Sequence, residues 1–366
     1  VRTFDVMALD PESAPLLAEM RNPDGTPRVC ERVWISSIGS AEDEQVGRLT
    51  AGFGAQARGP KIGPEFTFGI TLQKWLDEPI LLIKTAWGGK SLNTDFRPPG
   101  AGPYVFSHAQ RAAFEKQGKD LAAIKAEKLA AAGLYYRRMI DHVGAVLADV
   151  QRVVPDYDPR QGYELAGFVW FQGWNDMVDR GADPDRDQPG GYDSYSRLLA
   201  QLIRDVRRDL SVPNLPFVIG VLGVGGPFDA YPPGEERYKG IHQNFRSAMA
   251  APAGLPEFDG TVAAVRTAQY WDLDVAALRA RERTIKPAKN DIEEGMKAGR
   301  LGREEGTAAL DTLYGETFTP RELKILRQGT SNFDFHYMGS AKIMARIGRG
   351  FAEAMAGMLE NASADE

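Results

Sequence analysis

The run Gly167-Phe168-Val169-Trp170-Phe171-Gln172-Gly173-Trp174-Asn175-Asp176 constrains this chain more than any other segment. Four consecutive apolar residues, Phe168 to Phe171, suit a strand buried on both faces, as in a parallel sheet flanked by helices. The run stops abruptly in Gln-Gly-Trp-Asn-Asp. Ligands of open α/β sheets bind just outside the carboxyl ends of the strands, so the amides of Gln172 and Asn175 mark a candidate site. Read alone, the segment fits a strand closed by a polar turn equally well. Other segments decide the matter.

Apolar runs at Val33–Ser36, Pro79–Lys84, Phe217–Leu222 and Thr261–Thr267 also read as strands. Between them lie helical patterns: Ala14–Arg21, Glu65–Leu76 after the start signal Gly63-Pro64, one long amphipathic helix over Ala122–Val150, Tyr192–Leu210, and Lys239–Ala250. Gly339–Leu359 closes the chain with apolar residues four apart (Ile343, Ile347, Phe351, Met355, Leu359). Residues 38–64 look irregular, and 277–322, highly charged and poor in apolar residues, look like a helical surface insertion. Strands alternating with helices imply βαβ units and a parallel sheet with helices on both faces. We expect one three-layer α/β/α domain over residues 1–366, its core at about 32–355, with no linker dividing it.

The 366 residues suffice for a sizeable core, and 43% hydrophobic with 26% charged residues is ordinary for a globular protein. A net charge of −6 with no dense basic stripe argues against nucleic acid as partner. No apolar stretch is long enough to span a membrane. The single cysteine, Cys30, excludes an intramolecular disulfide and a cysteine-built metal site. No histidine pair has metal-ligand spacing, so neither a metal nor another cofactor is expected. The chain opens at Val1 without a signal-peptide pattern, so any targeting segment is expected to be removed or to lie outside the given sequence. The compartment and the oligomeric state stay open, export being one reading.

Three segments carry chemistry. In Trp87-Gly88-Gly89-Lys90-Ser91, two glycines after a strand can offer bare N–H groups to developing negative charge, as an oxyanion hole does; a tight turn is the plainer reading. Gln172, with Asn175 near it, is a neutral amide donor that could add one such bond, or could simply tie two loops together. In Asn332-Phe333-Asp334-Phe335-His336-Tyr337, an extended backbone would place Asp334 and His336 on one side, where the carboxylate could fix the imidazole tautomer. His142 and His242 fall in amphipathic helices and His108 in a loop, and all three read as structural or solvated. An acid–histidine pair, glycine N–H groups and an amide make an acyl-transfer site lacking its nucleophile.

Here the chain resembles the sialate O-acetylesterase-type carbohydrate esterases of the SGNH-hydrolase superfamily. The resemblance rests on Ile80-Leu81-Leu82-Ile83-Lys84-Thr85-Ala86-Trp87-Gly88-Gly89, on Val169-Trp170-Phe171-Gln172-Gly173, and on Asp334-Phe335-His336. It implies a flavodoxin-like fold and serine acyl-enzyme removal of acetyl groups from sugar hydroxyls. An acetylated carbohydrate would be the partner. It assigns an oxyanion donor to Gly88 or Gly89, the amide to Gln172, and the catalytic pair to Asp334 and His336. The glutamate that follows Gln-Gly in the family is Trp174 here, and Gly173-Trp174-Asn175-Asp176 fits the superfamily's Gly-x-Asn-Asp block, which makes Asn175 a rival amide donor.

The family's Gly-Gln-Ser-Asn turn, which carries the serine after the first strand, has no counterpart; Ser36, Ser37 and Ser40 lack its glycine and asparagine. The nucleophile is therefore expected upstream of Val1, on a missing first strand, and the chain as given is expected to be inactive. In the order 2-1-3-4-5 that strand would leave a slot between residues 33–36 and 80–84, opening towards His336. The Gly220-x-x-Gly223-x-Gly225-Gly226 run is a weak dinucleotide signal, because Pro227 follows and no helix opens on it. The serious rival is a non-catalytic carbohydrate-binding or scaffolding protein.

Overall fold

The computed structural model describes residues 3–40, 43–55, 61–231 and 234–364. Among the described residues six strands form, all but the first two separated by helices as the apolar patterning requires, but they make two three-stranded sheets rather than one. In the first, β1 (Val33–Gly39) lies between β2 (Gln45–Arg48) and β3 (Ile80–Ala86). The second has the order β4 (Phe168–Trp170), β5 (Phe217–Val221), β6 (Val262–Arg266), parallel throughout. All neighbours run parallel except β1 and β2, which form an antiparallel hairpin.

This corrects the expected position of the slot. β1 and β3 pair directly in parallel, from Val33 opposite Ile80 to Gly39 opposite Ala86, so no strand is absent between them. β1 is instead the middle strand of its sheet, with β2 on its far edge. The opening lies one strand further in, between β3 and β4. It is a cavity of about 2350 Å³ lined along its length by residues 79–88 and 161–172. Burial follows the same logic. β5 is buried throughout, whereas every residue of β3 from Ile80 to Thr85, and Phe168 and Val169 of β4, remain only half-buried.

Helices cover both faces of the opening. On one side, helix Ala341–Ala364 packs against helix Pro64–Leu72 and against β5 and β6, so it bridges the two sheets. On the other, helix Leu134–Ala148 lies on β3. Its Val146 joins the cluster of Trp34, Leu81 and Ile83, while its Met139 joins the main core with Trp170. Near the carboxyl ends the gap is crossed by rings: Phe96 stands 6.0 Å from Trp87, beyond β3, and 5.2 Å edge-on from Trp170 of β4.

The single helix expected over 122–150 is two, Leu121–Ala131 and Leu134–Ala148. Gly133 breaks it at φ +69°, a left-handed turn that suits glycine. Its N–H donates to Thr94 O (2.8 Å) and that of Tyr135 to Asp95 O (2.9 Å), so a neighbouring loop satisfies part of the second helix's N-terminus. The charged stretch is helical, as helices Leu273–Lys297, Arg303–Thr317 and Pro320–Gln328. No helix among the described residues is long and apolar enough to cross a membrane.

Candidate active site

The turn after β3 carries the two glycines. Gly88 N–H donates to Ser40 Oγ at 2.9 Å, linking the ends of β3 and β1. Gly89 follows at φ +73°, where a side chain would strain the backbone although nothing crowds it.

Gln172 sits just beyond β4, and both hydrogens of its amide are engaged. Nε2 donates to Lys90 O (2.9 Å) and to Asp176 Oδ2 (2.7 Å). In this arrangement Gln172 ties the β3 and β4 turns together. Asp176, which the motif reading left without a role, is the hub of that tie. It is fully buried and also accepts from the N–H groups of Leu92 (2.8 Å) and Asn93 (2.8 Å). Burial pushes its carboxyl up to about 6, against the hydrogen bonds from Gln172, Asn93 and Leu92 that pull it down. Asn175, in the short helix Trp174–Val178, makes no side-chain hydrogen bond among the described residues, so its amide remains available.

The histidine segment departs from expectation. Asp334–Gly339 is a 3₁₀ turn rather than extended chain, and such a turn rotates residues two apart onto different sides. Asp334 is paired with Arg279 of the charged helix, not with His336. The imidazole Nδ1 instead meets Asn332 Oδ1 at 3.1 Å. An amide oxygen only accepts, so this contact puts the proton on Nδ1 and leaves Nε2 as a base. Tyr337 and Met338 then take left-handed backbone (φ +52° and +57°), costly for residues with side chains. Tyr337 is held there by its hydroxyl, which accepts from Gly223 N (2.8 Å) and meets Thr267 Oγ1 (3.0 Å) beyond β5 and β6. The strained turn thereby pins His336 to the carboxyl edge of the second sheet.

Gly88, Gln172 and His336 all line the cavity between β3 and β4; Gly89, Asn175 and Asp334 do not. The Ser–His contact that spacing could not reveal lies elsewhere. Ser36 Oγ, buried in β1, donates to Glu44 Oε1 (2.5 Å) and touches His142 Nε2 (2.8 Å), and Arg152 holds Glu44. Glu44 also approaches His142, at 3.9 Å, but on the same Nε2 that faces the serine rather than on Nδ1, so the three groups form a tie and not a relay in which the acid holds the far nitrogen. His108 opens helix His108–Lys116 rather than lying in a loop.

His242 is buried against Tyr231, and burial, then Arg246, push its imidazole down to about 4. As pH falls below 6.5 the unfolded chain takes a proton that the folded chain refuses until about 4. Stability from this group is therefore complete above 6.5 and is lost by up to about 3 kcal/mol on acidification. His242→Gln should flatten the acid limb of a urea-unfolding pH profile between 6.5 and 4; an unaltered limb would dismiss the effect.

A family model for carbohydrate esterases, sialic acid-specific acetylesterases, matches residues 49–253, more than half of the chain. No curated protein sequence matches it. Among solved structures, one similar chain is a protein from Arabidopsis thaliana, with 17% identity over 66% of this chain and 70% of that one at a TM-score of 0.38. Another is described as a novel carbohydrate acetylesterase from Xanthomonas citri, with 14% identity over 72% of this chain at a TM-score of 0.37. The present chain spans 47% of the length of that second structure. By the family model, the chain belongs to the sialic acid-specific acetylesterase family of carbohydrate esterases.

Proposed function

We propose that this protein removes acetyl groups from sugar hydroxyls by serine acyl-enzyme chemistry, its nucleophile carried by a strand seated between β3 and β4. The observation that carries this reading is the cavity between β3 and β4, the adjoining strands of two separate sheets, which His336 and Gly88 also line. A serine at the carboxyl end of such a strand would emerge among those groups. Its Oγ attacks the acetyl carbonyl as His336 Nε2 takes the proton, and the sugar oxygen leaves with that proton. Water then repeats the sequence on the acyl-enzyme. Gly88 N–H, once it exchanges Ser40 for substrate, is the oxyanion donor on the cavity wall. Gln172 supports the turn that presents it. Asn332 fixes the tautomer of His336, and Asp334 stands by, paired with Arg279.

Acetate release from an O-acetylated oligosaccharide, by the chain extended upstream, tests the reading. His336→Ala should lower turnover by about 10³-fold or more, and Asn332→Ala by about 10²-fold, while Asp334→Asn changes it little. Full turnover in His336→Ala would overturn the proposal. A loss of about 10⁴-fold in Asp334→Asn with Asn332→Ala intact would return the orienting role to Asp334.

One observation favours a second reading for residues 1–366 by themselves. Gly88 N–H and both hydrogens of Gln172 are engaged within the protein, and His336 meets Asn332 rather than a hydroxyl. That state suits binding of a carbohydrate without its hydrolysis, and the unextended chain is expected to release no acetate.

A further inference from the structure

Beside His336 stands a column of aromatic rings that the esterase chemistry does not use. Trp174, packed against the main core, stacks on Phe335 at 5.6 Å and 27°. Phe335 stacks in turn on Phe333 at 5.5 Å and 8°, and also contacts the His336 ring at 4.4 Å. The column is anchored at one end and open at the other: Phe333 is 66% exposed. Phe335, stacked on it, is itself 39% exposed, so the two rings form one contiguous apolar patch in water rather than a lone surface side chain, and such a patch marks a binding surface.

We infer that Phe333 is a stacking platform for a sugar ring one unit removed from the acetylated one, so that the preferred substrate is an oligosaccharide or polysaccharide rather than a free monosaccharide. The inference rests on the esterase reading for its substrate class. The face of an aromatic ring is negative and attracts the polarised C–H groups on the flat face of a pyranose. The surroundings of Phe333 fit a ligand with an apolar face and polar edges. Asn332 precedes it, and Asp334 follows with its carboxylate half-exposed in its pair with Arg279. A wholly apolar partner would have to strip water from that carboxylate and guanidinium, whereas sugar hydroxyls can hydrogen-bond to both. Position sets the length of the ligand. Phe335 touches the imidazole, and Phe333 lies one ring beyond it, so a molecule reaching both His336 and the open face of Phe333 exceeds one sugar unit.

Trp174 gives the column its rigidity. Its indole packs on the main core behind it and on Phe335 in front, so the inner end of the column is fixed. Three prestacked rings lose little freedom when a fourth is added, which favours binding through preorganisation.

Calorimetric titration of the 366-residue protein with an O-acetylated β-1,4-linked xylotetraose and with the acetylated monosaccharide tests the inference without any need for turnover. The tetrasaccharide should bind about three- to tenfold more tightly than the monosaccharide. Phe333→Ala should remove that advantage and leave monosaccharide affinity unchanged, while Phe333→Trp keeps it. The site is exposed, so these variants are expected to fold, and unchanged melting temperatures would verify that. Equal tetrasaccharide affinity for the wild type and Phe333→Ala, or no binding of either sugar, overturns the platform. The two readings fail separately. Acetate release by the upstream-extended chain with no effect of Phe333→Ala on tetrasaccharide affinity rejects the platform alone. Phe333-dependent binding with no acetate release by that extended chain rejects the esterase alone.

Discussion

Extension of the chain at its N-terminus by an apolar strand of about six residues should raise its melting temperature by about 6 °C. The cavity between β3 and β4 has what such a strand requires. β3 and β4 line it without pairing to one another, and helices Pro64–Leu72, Ala341–Ala364 and Leu134–Ala148 close both faces. Each large aliphatic side chain that a strand buries there contributes about 1.5–3 kcal/mol, and each ladder hydrogen bond about 1 kcal/mol. With about four large aliphatics at about 2 kcal/mol, about six ladder bonds and an ordering cost of about 1.5 kcal/mol per residue, the net gain is about 5 kcal/mol, and an unfolding entropy of about 2.1 cal/mol/K per residue makes that about 6 °C for a chain of this length. Hydrogen exchange provides a local readout. The slot-facing amides of β3 and β4 should exchange rapidly in residues 1–366 and become protected in the extended chain. Equal melting temperatures with unprotected amides would show that no strand belongs there.

The second large effect concerns Asp176. Its replacement by alanine should cost about 3–6 kcal/mol, because the N–H groups of Leu92 and Asn93 and one hydrogen of Gln172 lose their acceptor where water does not reach. Against the 5–15 kcal/mol typical of a whole domain, that loss is large enough to loosen both turns of the site. Denaturant unfolding measures it, and a change below about 1 kcal/mol would show that other bonds hold the turns. The carboxyl also leaves a pH signature. Its value of about 6 lies above the ordinary 3.8, so between those limits the folded chain binds more protons than the unfolded one. Stability from this group is therefore greatest below 3.8 and declines as pH rises through 6. Asp176→Asn should abolish that decline, which runs opposite to the trend set by His242 over nearly the same range.

Most helices and strands were legible because period-2 and period-3.6 apolar patterns are local properties of the chain. Lys239–Ala250 appears with the expected bounds, and the strands at 80–86, 217–221 and 262–266 depart by one or two residues. What was not legible depends on distant partners. The break at Gly133 reflects capture of the following helix by Thr94 and Asp95. β2 is four residues, mostly exposed, and exists through pairing with β1. The segment around His336 coils because Tyr337 reaches Gly223 and Thr267, over 110 and 70 residues away in sequence, and Asp334 finds an arginine within the charged insertion. Residue types at the site could be read in the chain, whereas their hydrogen-bond partners could not. Asp176 is the clearest case: it stands in the most informative motif, yet its role depends on the backbone of residues 92 and 93.

Helix Ala341–Ala364 also sets an order of assembly. Its Ala345 carbonyl accepts from Thr67 Oγ1 at 2.8 Å, across 278 residues of chain. During synthesis β1 to β3 have all emerged soon after Ala86, but the helix that joins their sheet to the other follows only some 250 residues later. For the time taken to translate some 250 residues, at 5–20 residues per second, the inner edge of that first sheet stands open, and open strand edges invite pairing with other chains. A sheet closed this late is exposed to misassembly on the ribosome, so yield in cells should follow chaperone supply more closely than the final stability of the fold.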